Sequence, residues 1–333
     1  MKISVLGCGR WGSFIAWYLS GRGFPVALYG RENSPRFALL KSAGKNEYVT
    51  LGENVALTSS LEEAAAADVL VVSVKSAGLR ELLSSLRPFG LAEKTLVLCM
   101  KGVEENTGKR LSEIAVEEGA DRNKVAVWVG PGHIQAFAAG LPNCMLIDAY
   151  DHALTKKLAD AWRSDLIRFY YGDDIVGSEI GAAAKNVFGI AAGMLDGGGY
   201  STLKGPLMAR GAREISRLIK AMGGNELSAY GLCHLGDYET TLFSEFSNNR
   251  AYGMAYVKGE KFTKLAEGVS AAKGLKLLGE KYGEELPITN AVYSIIYENK
   301  DPMQVFLKIF SRSTRAEFLI KARGICRAPF NFC

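Results

Sequence analysis

The apolar residues of the first half of the chain fall into short, nearly uninterrupted runs. These runs are ISVLG, VALYG, DVLVVSV, TLVLCM, VAVWVG and NCMLIDA, and helix-like segments such as SLEEAAAA and SAGLRELLSSLRPFG lie between several of them. Apolar runs without strict alternation are typical of strands covered on both faces. Strands that alternate with helices predict a parallel, doubly wound sheet of the Rossmann type.

The pattern changes near Asp174, where long segments with helical periodicity begin to follow one another. They include GSEIGAAAKNVFGIAAG, LMARGAREISRLIKAMGG and AEGVSAAKGLKLLGEKYG, and no comparable strand runs accompany them. The fold class predicted is therefore α/β, with a doubly wound N-terminal domain over residues 1–175 and an all-helical domain over residues 176–333. A length of 333 residues agrees with two domains.

Composition narrows the possible classes of protein. Hydrophobic residues make up 48% and charged residues 23%, which is typical of globular domains rather than disordered chains. The net charge of +5 is spread along the chain without the clustering that nucleic-acid binding needs. No run of 18 apolar residues predicts a membrane span, and arginine and glycines interrupt the apolar N-terminus, so we expect no signal peptide and a cytoplasmic protein.

Cysteines and histidines give no metal or disulfide pattern. No C-x-x-C pair and no ligand spacing occurs among Cys8, Cys99, Cys144, Cys233, Cys326, Cys333, His133, His152 and His234. We therefore expect no metal and a reducing compartment.

A glycine fingerprint follows the first apolar run. Gly7, Gly9 and Gly12 form G-x-G-x-x-G between ISVL and the helical run SFIAWYLSG. In this context the glycines allow a tight turn, close approach of the backbone to a pyrophosphate, and helix packing on the strand, which predicts a dinucleotide site. Arg31, after the second run, stands where an acid often holds the ribose hydroxyls and can pair with a 2′-phosphate, so the cofactor expected is NAD or NADP, with NADPH slightly favoured.

One lysine interrupts the first segment of the helical half. Lys185 shares a spacing of four with Gly177, Gly181, Gly189 and Gly193, a costly glycine ridge that indicates close approach of some group. The lysine either extends to the surface or sits partly desolvated with a lowered pKa, and periodicity leaves both interpretations open. In the second case it is a usable proton donor and acceptor.

The chain resembles the bacterial NAD(P)-dependent sn-glycerol-3-phosphate dehydrogenase family. Collinear blocks carry the resemblance: GCGRWG, KGVE, GPGHIQAFAAGLP, EIGAAAKNVFGIAAG, LGDYETT, SNNRAYG and the pair EG at residues 267 and 268. The resemblance implies reversible reduction of dihydroxyacetone phosphate to sn-glycerol 3-phosphate, which supplies phospholipid synthesis, and a homodimer.

The resemblance also implies roles for individual residues. Lys185 matches the catalytic lysine that exchanges a proton with the carbonyl oxygen, Lys101 a lysine that contacts substrate and cofactor, and Asp237 a substrate-side aspartate. The remaining implied substrate contacts are Gly130, Gly132, Ser247, Asn248 and Asn249, and the implied cofactor contacts are Gly7, Gly9, Arg10, Trp11, Gly12, Arg31, Lys101, Ile134 and Glu267.

Three positions depart from the family pattern. Gly132 replaces a serine or threonine, Ala136 replaces a glutamate, and Asn248 replaces an arginine that helps to bind phosphate. Losing that cation removes a contact of about 1.5 to 3 kcal/mol. Arg250 could substitute if the loop is displaced, and Lys204 is a weaker candidate.

Several alternatives stay open from the sequence. Asp237 is either a helix N-cap or faces the substrate, and His133 either packs or lies beside the cofactor, while His234 has no evident partner. For the whole chain, the alternatives are a reductase of another small keto or hydroxy acid, and an inactive dinucleotide-binding sensor. Residues after Gly324 are expected to be poorly ordered.

Overall fold

One sheet forms the centre of the N-terminal unit. The structure is a computed structural model and describes residues 1–311. The expected poor order after Gly324 lies outside the described residues, as do Cys326 and Cys333. Within residues 1–311, eight strands form one sheet: β1 (Ile3–Leu6), β2 (Val26–Tyr29), β3 (Val55–Thr58), β4 (Val69–Val72), β5 (Thr95–Leu98), β6 (Val125–Val129), β7 (Asn143–Ala149) and β8 (Ile167–Tyr171).

The strand order is β3-β2-β1-β4-β5-β6-β7-β8. All neighbours are parallel except β6 and β7, which pair antiparallel with Trp128 opposite Ile147. The expectation of a wholly parallel sheet was wrong at this point, because the connection over residues 130–142 carries only a five-residue helix and returns the chain instead of crossing the sheet. The α/β fold class with a Rossmann-type sheet is confirmed.

Two strands were missing from the sequence prediction. In β3 only Thr58 is buried, and β8 alternates buried Ile167 and Phe169 with exposed residues. Neither strand shows the continuous apolar run that marks strands covered on both faces, because both lie at an edge of the sheet.

Helices cover both faces of the sheet. They are α1 (Arg10–Gly21), α2 (Pro35–Ala43), α3 (Leu61–Ala65), α4 (Leu79–Leu86), α5 (Leu111–Glu117), α6 (Ile134–Ala138) and α7 (His152–Trp162). Alternate residues of one strand enter different cores: Val69 and Val71 pack with Phe14 and Trp128, whereas Leu70 joins the core on the other face. This arrangement explains the uninterrupted apolar runs.

The second unit is helical. It comprises α8 (Ile175–Gly197), α9 (Lys204–Ala221), α10 (Asn248–Lys258), α11 (Gly268–Tyr282), α12 (Pro287–Glu298) and α13 (Pro302–Phe310). Of the 23 residues in α8, all but Val176, Asp196 and Gly197 are buried, so the other helices surround it. Among residues 1–311, no helix is long and apolar enough to cross a membrane.

Buried polar contacts join the two units along what we term the seam. Arg110 directly precedes α5, and its Nη1 donates to Glu179 Oε2 of α8 at 2.8 Å. The Ser112 backbone N–H donates to the same carboxylate at 2.8 Å. Beside them, Ser178 Oγ donates to Asp148 Oδ2 at 2.6 Å. Burial raises the pKa of Asp148 to about 6. Both ends of these contacts are removed from water, so the two units are held in one arrangement.

Candidate active site

Lys185 lies in the middle of α8 and is 8% exposed. Its Nζ donates to Thr241 Oγ1 at 2.8 Å and lies 3.1 Å from Asp237 Oδ2. Burial lowers the pKa of Lys185 to about 8, with Asp237 opposing the change and Lys101 adding to it. Of the two interpretations left open by periodicity, the desolvated lysine is therefore the one the structure shows.

Asp237 joins Lys185 to a lysine of the other unit. Its side chain is fully buried, and Oδ2 accepts from Lys101 Nζ at 2.6 Å, while the same Nζ donates to the Gly130 carbonyl at 2.7 Å. Burial by itself would raise the pKa of Asp237, but Lys101 and Lys185 hold it below its usual value. The site therefore places two amines on one ionised carboxylate, with one amine from each unit.

Local structure explains how Asp237 and Thr241 reach α8. Asp237 ends a 3₁₀ turn over Leu235–Asp237, and Thr241 lies in the π-helical turn Glu239–Phe243 that follows. π-helical turns are rare and occur often at functional sites. Thr241 was not among the predicted site residues, although it lies in the block LGDYETT that carries part of the resemblance.

The glycine ridge of α8 packs against protein. A Cβ at Gly189 would lie 2.7 Å from Thr241 Cγ2, and one at Gly193 would lie 1.9 Å from the Arg250 carbonyl oxygen. The prediction that some group approaches closely is correct, and the group that approaches these glycines is protein. They let the segment from Ser228 to α10 lie directly against the α8 backbone.

The fingerprint glycines form a cradle at the amino end of α1. Gly7 has φ +116°, and a Cβ there would lie 2.4 Å from the Ser73 carbonyl oxygen, whereas a Cβ at Gly12 would lie 1.7 Å from the Gly7 oxygen. At Gly9 the nearest atom is Arg36 Nη1 at 3.6 Å, so the backbone is open on that side. Arg10 Nε is buried without a hydrogen-bond partner among the described residues.

This cradle lies where the order of the strands reverses, between β1 and β4. Ligands of open α/β sheets bind at that crevice, and the free N–H groups of a helix N-terminus favour phosphate. An open glycine, an unpartnered guanidinium nitrogen and the end of α1 therefore fit the pyrophosphate of a dinucleotide.

Two family models match the chain in tandem. The model for the N-terminus of NAD-dependent glycerol-3-phosphate dehydrogenase matches residues 2–155, and the model for its C-terminus matches residues 174–307. The chain belongs to this dehydrogenase family. The predicted family and enzyme class, an NAD(P)-dependent oxidoreductase, are thereby confirmed.

Similar proteins agree with this membership. The glycerol-3-phosphate dehydrogenase [NAD(P)+] of Chlorobium phaeobacteroides is 34% identical over 333 residues, covering 95% of this chain and 99% of the relative. A crystal structure of glycerol-3-phosphate dehydrogenase from Coxiella burnetii matches with a TM-score of 0.86 at 27% identity, over 93% of this chain and 99% of that one. D-mandelate dehydrogenase, with a TM-score of 0.62 at 15% identity over 92% and 99%, shares the fold alone. The alternatives of another keto-acid reductase or an inactive sensor are not favoured.

In this family member, Asn249 connects three elements around the lysine. Its Nδ2 donates to Asn186 Oδ1 at 3.0 Å, and its Oδ1 accepts from the Gly268 backbone N–H at 2.9 Å. Asn186 in turn donates to the Lys101 carbonyl oxygen at 3.3 Å. Glu267 directly precedes α11 and is half-buried. Burial raises the pKa of Glu267, and the positive charges of Lys185 and Lys101 act in the opposite direction.

The two cations suggested as replacements for the missing arginine pair with one acidic residue of α8. Arg250 Nε donates to Asp196 Oδ2 at 2.6 Å, and Lys204 Nζ lies 3.0 Å from Asp196 Oδ1. Asp196 is eleven residues beyond Lys185 on α8, which is about 16 Å along the helix axis. Both cations are therefore paired with Asp196.

The sequence SNNR begins α10. Ser247 is its N-cap, buried, with Oγ accepting from the Arg250 backbone N–H at 3.3 Å, and half-buried Asn248 is the first residue of the helix. Their position beside Asn249 places the amino end of α10 next to the lysine site.

Two histidines differ in their surroundings. His234 is fully buried; its Nδ1–H donates to the Gly181 carbonyl at 2.9 Å and its Nε2 accepts from Tyr238 O–H at 2.7 Å, while burial lowers its pKa to about 4. His234 is thus a neutral structural group. His133 Nε2 is buried without a hydrogen-bond partner among residues 1–311. Burial is the main cause that lowers the pKa of His133, and the positive charge of Lys185 lowers it further.

The remaining predicted contacts divide by exposure. Trp11 is half-buried and packs edge-on against Phe14 at 5.4 Å, and Arg31 is exposed after β2. The side chain of Ile134 is 1% exposed and belongs to the core, and its contact with the cofactor stays a prediction.

Gly132 also has a structural reason. A Cβ there would lie 2.5 Å from the Phe137 ring, so a serine or threonine would displace that ring. Within residues 1–311, no group of three or more His, Cys, Asp or Glu side chains is arranged to hold a metal.

Proposed function

We propose that this chain reversibly reduces dihydroxyacetone phosphate to sn-glycerol 3-phosphate, with Lys185 as the proton donor and acceptor. The observation that carries the proposal is the buried amine of Lys185, with its pKa near 8, held against Asp237 and facing Lys101. The relatives bear the name of this activity over nearly the whole chain.

The chemistry divides between cofactor and protein. A bound NAD(P) would supply or accept the hydride at its nicotinamide ring, and the Gly7–Gly12 segment and Arg10 would hold its pyrophosphate. The protein must bind the carbonyl compound and stabilise negative charge as it develops on the oxygen. Lys185 and Lys101 provide that positive field.

Proton transfer follows from the lowered pKa. A general acid works best when its pKa lies near the working pH. Lys185 Nζ, as the ammonium, donates a proton to the carbonyl oxygen in reduction, and, as the neutral amine, removes a proton from the hydroxyl group in oxidation. Asp237 stays ionised and holds both amines in place.

The phosphate group would lie at the amino end of α10. Ser247, Asn248 and Asn249 lie there, and helix N-termini bind anions through their free N–H groups. Because Asn248 carries no charge, we expect weaker substrate binding than an arginine would give. Asn248→Arg should therefore lower KM for dihydroxyacetone phosphate by about tenfold, since a charge-assisted contact contributes about 1.5 to 3 kcal/mol.

The deciding experiment is oxidation of NADH or NADPH by the purified chain on addition of dihydroxyacetone phosphate. Lys185→Ala should abolish turnover and leave cofactor binding intact, while Lys157→Ala, which removes an exposed lysine on α7, should change neither. Full activity of Lys185→Ala would contradict the assignment. An Asn248→Arg variant with lower activity would point instead to a substrate without phosphate.

We also propose a preference for NADPH, supported by the position of exposed Arg31 at the end of β2. Arg31→Ala should then raise KM for NADPH and leave KM for NADH unchanged. A homodimer, a cytoplasmic location and a role in supplying phospholipid synthesis stay predictions.

A further inference from the structure

A cavity, which we term the seam cavity, lies at the junction of the two units. It has a volume of about 390 Å³ and lies between α5 of the first unit and α11 of the second. Ligand pockets for small molecules begin near roughly 300 Å³. None of its lining residues belongs to the candidate active site.

The charges around the seam cavity favour an anion. The lining carries four cations and two carboxylates: Lys109, Arg110, Arg122, Lys281, Glu113 and Glu117. Glu117 already pairs with Lys109 and with Arg80. Glu113 Oε1 lies 3.5 Å from Arg110 Nη2, and its Oε2 accepts a backbone hydrogen bond at 2.8 Å. Arg122 and Lys281, both exposed, have no carboxylate partner among residues 1–311.

A buried guanidinium completes the lining. The Arg110 side chain is 8% exposed, and its Nη1 donates to Glu179 and Ser112, but Nε has no partner among the described residues. A buried donor without an acceptor costs about 1 to 3 kcal/mol. This guanidinium therefore keeps one donor that no group among the described residues satisfies.

An aromatic face holds one of the exposed cations in position. The Arg122 guanidinium lies 4.2 Å from the centre of the Tyr150 ring, and Tyr150 O–H accepts from Arg110 Nη2 at 3.1 Å. Arg122 therefore lies over the ring of Tyr150, and Arg110 binds the hydroxyl group of the same residue. Such planar, pre-positioned forks suit phosphate and carboxylate groups.

We propose that the seam cavity binds a small metabolite with at least two negative charges, through Arg110, Arg122 and Lys281. The ligand bridges the two units, because Arg122 and Lys281 belong to different ones. It is also connected to the active site by two routes. Arg110 pairs with Val103, two residues after Lys101, and Arg110 binds Glu179, six residues before Lys185 on α8.

The test is calorimetric titration of the full chain, saturated with NADPH so that the Gly7–Gly12 cradle is filled, with inorganic pyrophosphate and, separately, with citrate, at constant ionic strength. The double variant Arg122→Ala/Lys281→Ala should weaken binding by about tenfold or more, because each charged contact contributes about 1.5 kcal/mol or more. Neither side chain is buried, so the double variant should fold. The tighter of the two probes identifies whether phosphate or carboxylate is preferred.

Two controls locate the binding. Lys157→Ala, which removes an exposed cation elsewhere, and Lys185→Ala, which alters the active site, should both bind the probes as the parent does. Equal affinity in the double variant and the parent, or no binding by the parent, would overturn the proposal. Loss of binding in Lys185→Ala would overturn it too, because the probes would then occupy the active site.

Discussion

Replacing Asp237 by asparagine should make Lys185 a stronger acid. Asp237 is the carboxylate that opposes the effect of burial on Lys185, at a distance of 3.1 Å. Unit charges about 4 Å apart attract by about 4 kcal/mol at an effective dielectric constant of about 20. A change of about 1.4 kcal/mol corresponds to a shift of one pKa unit. The loss of even a third of this attraction therefore lowers the pKa of Lys185 by about one unit.

The sign of the effect can be measured in the reducing direction. In the proposed mechanism, reduction requires the ammonium form of Lys185, so kcat/KM for dihydroxyacetone phosphate should fall as the pH rises through about 8 in the parent. In Asp237→Asn the same decline should be centred near pH 7 or below. The assay is a pH profile of kcat/KM, with folding checked by circular dichroism and cofactor binding checked by fluorescence.

Thr241→Val is the matched control. It removes the hydrogen bond that Lys185 Nζ donates to the Thr241 hydroxyl at 2.8 Å without changing any charge. The pKa of Lys185 is set by burial and by the charges of Asp237, Lys101 and Glu267, all of which stay in place in this variant. Its pH profile should therefore move less than that of Asp237→Asn. A folded Asp237→Asn variant whose activity still declines near pH 8 would refute the electrostatic reasoning.

Two further predictions concern stability. Gly193→Ala should lower the free energy of unfolding by about 1 to 3 kcal/mol, because the new methyl group would overlap the Arg250 carbonyl oxygen. Gly205→Ala should raise the free energy of unfolding, because a Cβ at Gly205 would lie in open space. Urea unfolding of both variants distinguishes the effect of packing from that of helix propensity. Burial raises the pKa of Glu214 to about 7, so its contribution to stability is complete below about pH 4.5 and is lost as the pH rises through 7. Glu214→Gln should flatten the dependence of Tm on pH in that interval, and an unchanged slope would count against this account.

The sequence was most informative where burial or backbone geometry imposes a pattern. Strands covered on both faces gave continuous apolar runs, and the cradle at Gly7 and Gly12 admits only glycine, so both were predicted. The edge strands β3 and β8 escaped notice because one face of an edge strand can carry polar residues. The strand β7 was predicted, but its antiparallel direction was not, because strand direction depends on the connection and leaves no mark on the strand itself.

Contacts between distant segments could not be predicted from the residues alone. Nothing in the spacing of Lys101, Asp237 and Lys185 indicates that one carboxylate oxygen meets both amines, since the three come from separate segments. The glycine ridge gave a correct indication of close approach but no indication of what approaches. Arg250 seemed free in the sequence because its partner, Asp196, lies 54 residues away.

The seam has a consequence for how the two units can be recombined. Glu179, Ser178 and Lys101 each bind across it, and both the anchoring of α8 and the position of Lys185 depend on those bonds. A dinucleotide-binding unit taken from another protein would have to supply counterparts of Arg110, Asp148 and Lys101 at the same places. The cofactor half of this chain is therefore not an interchangeable module, and changes of coenzyme are easier to obtain at the exposed end of β2, far from the seam, than by exchange of the whole unit.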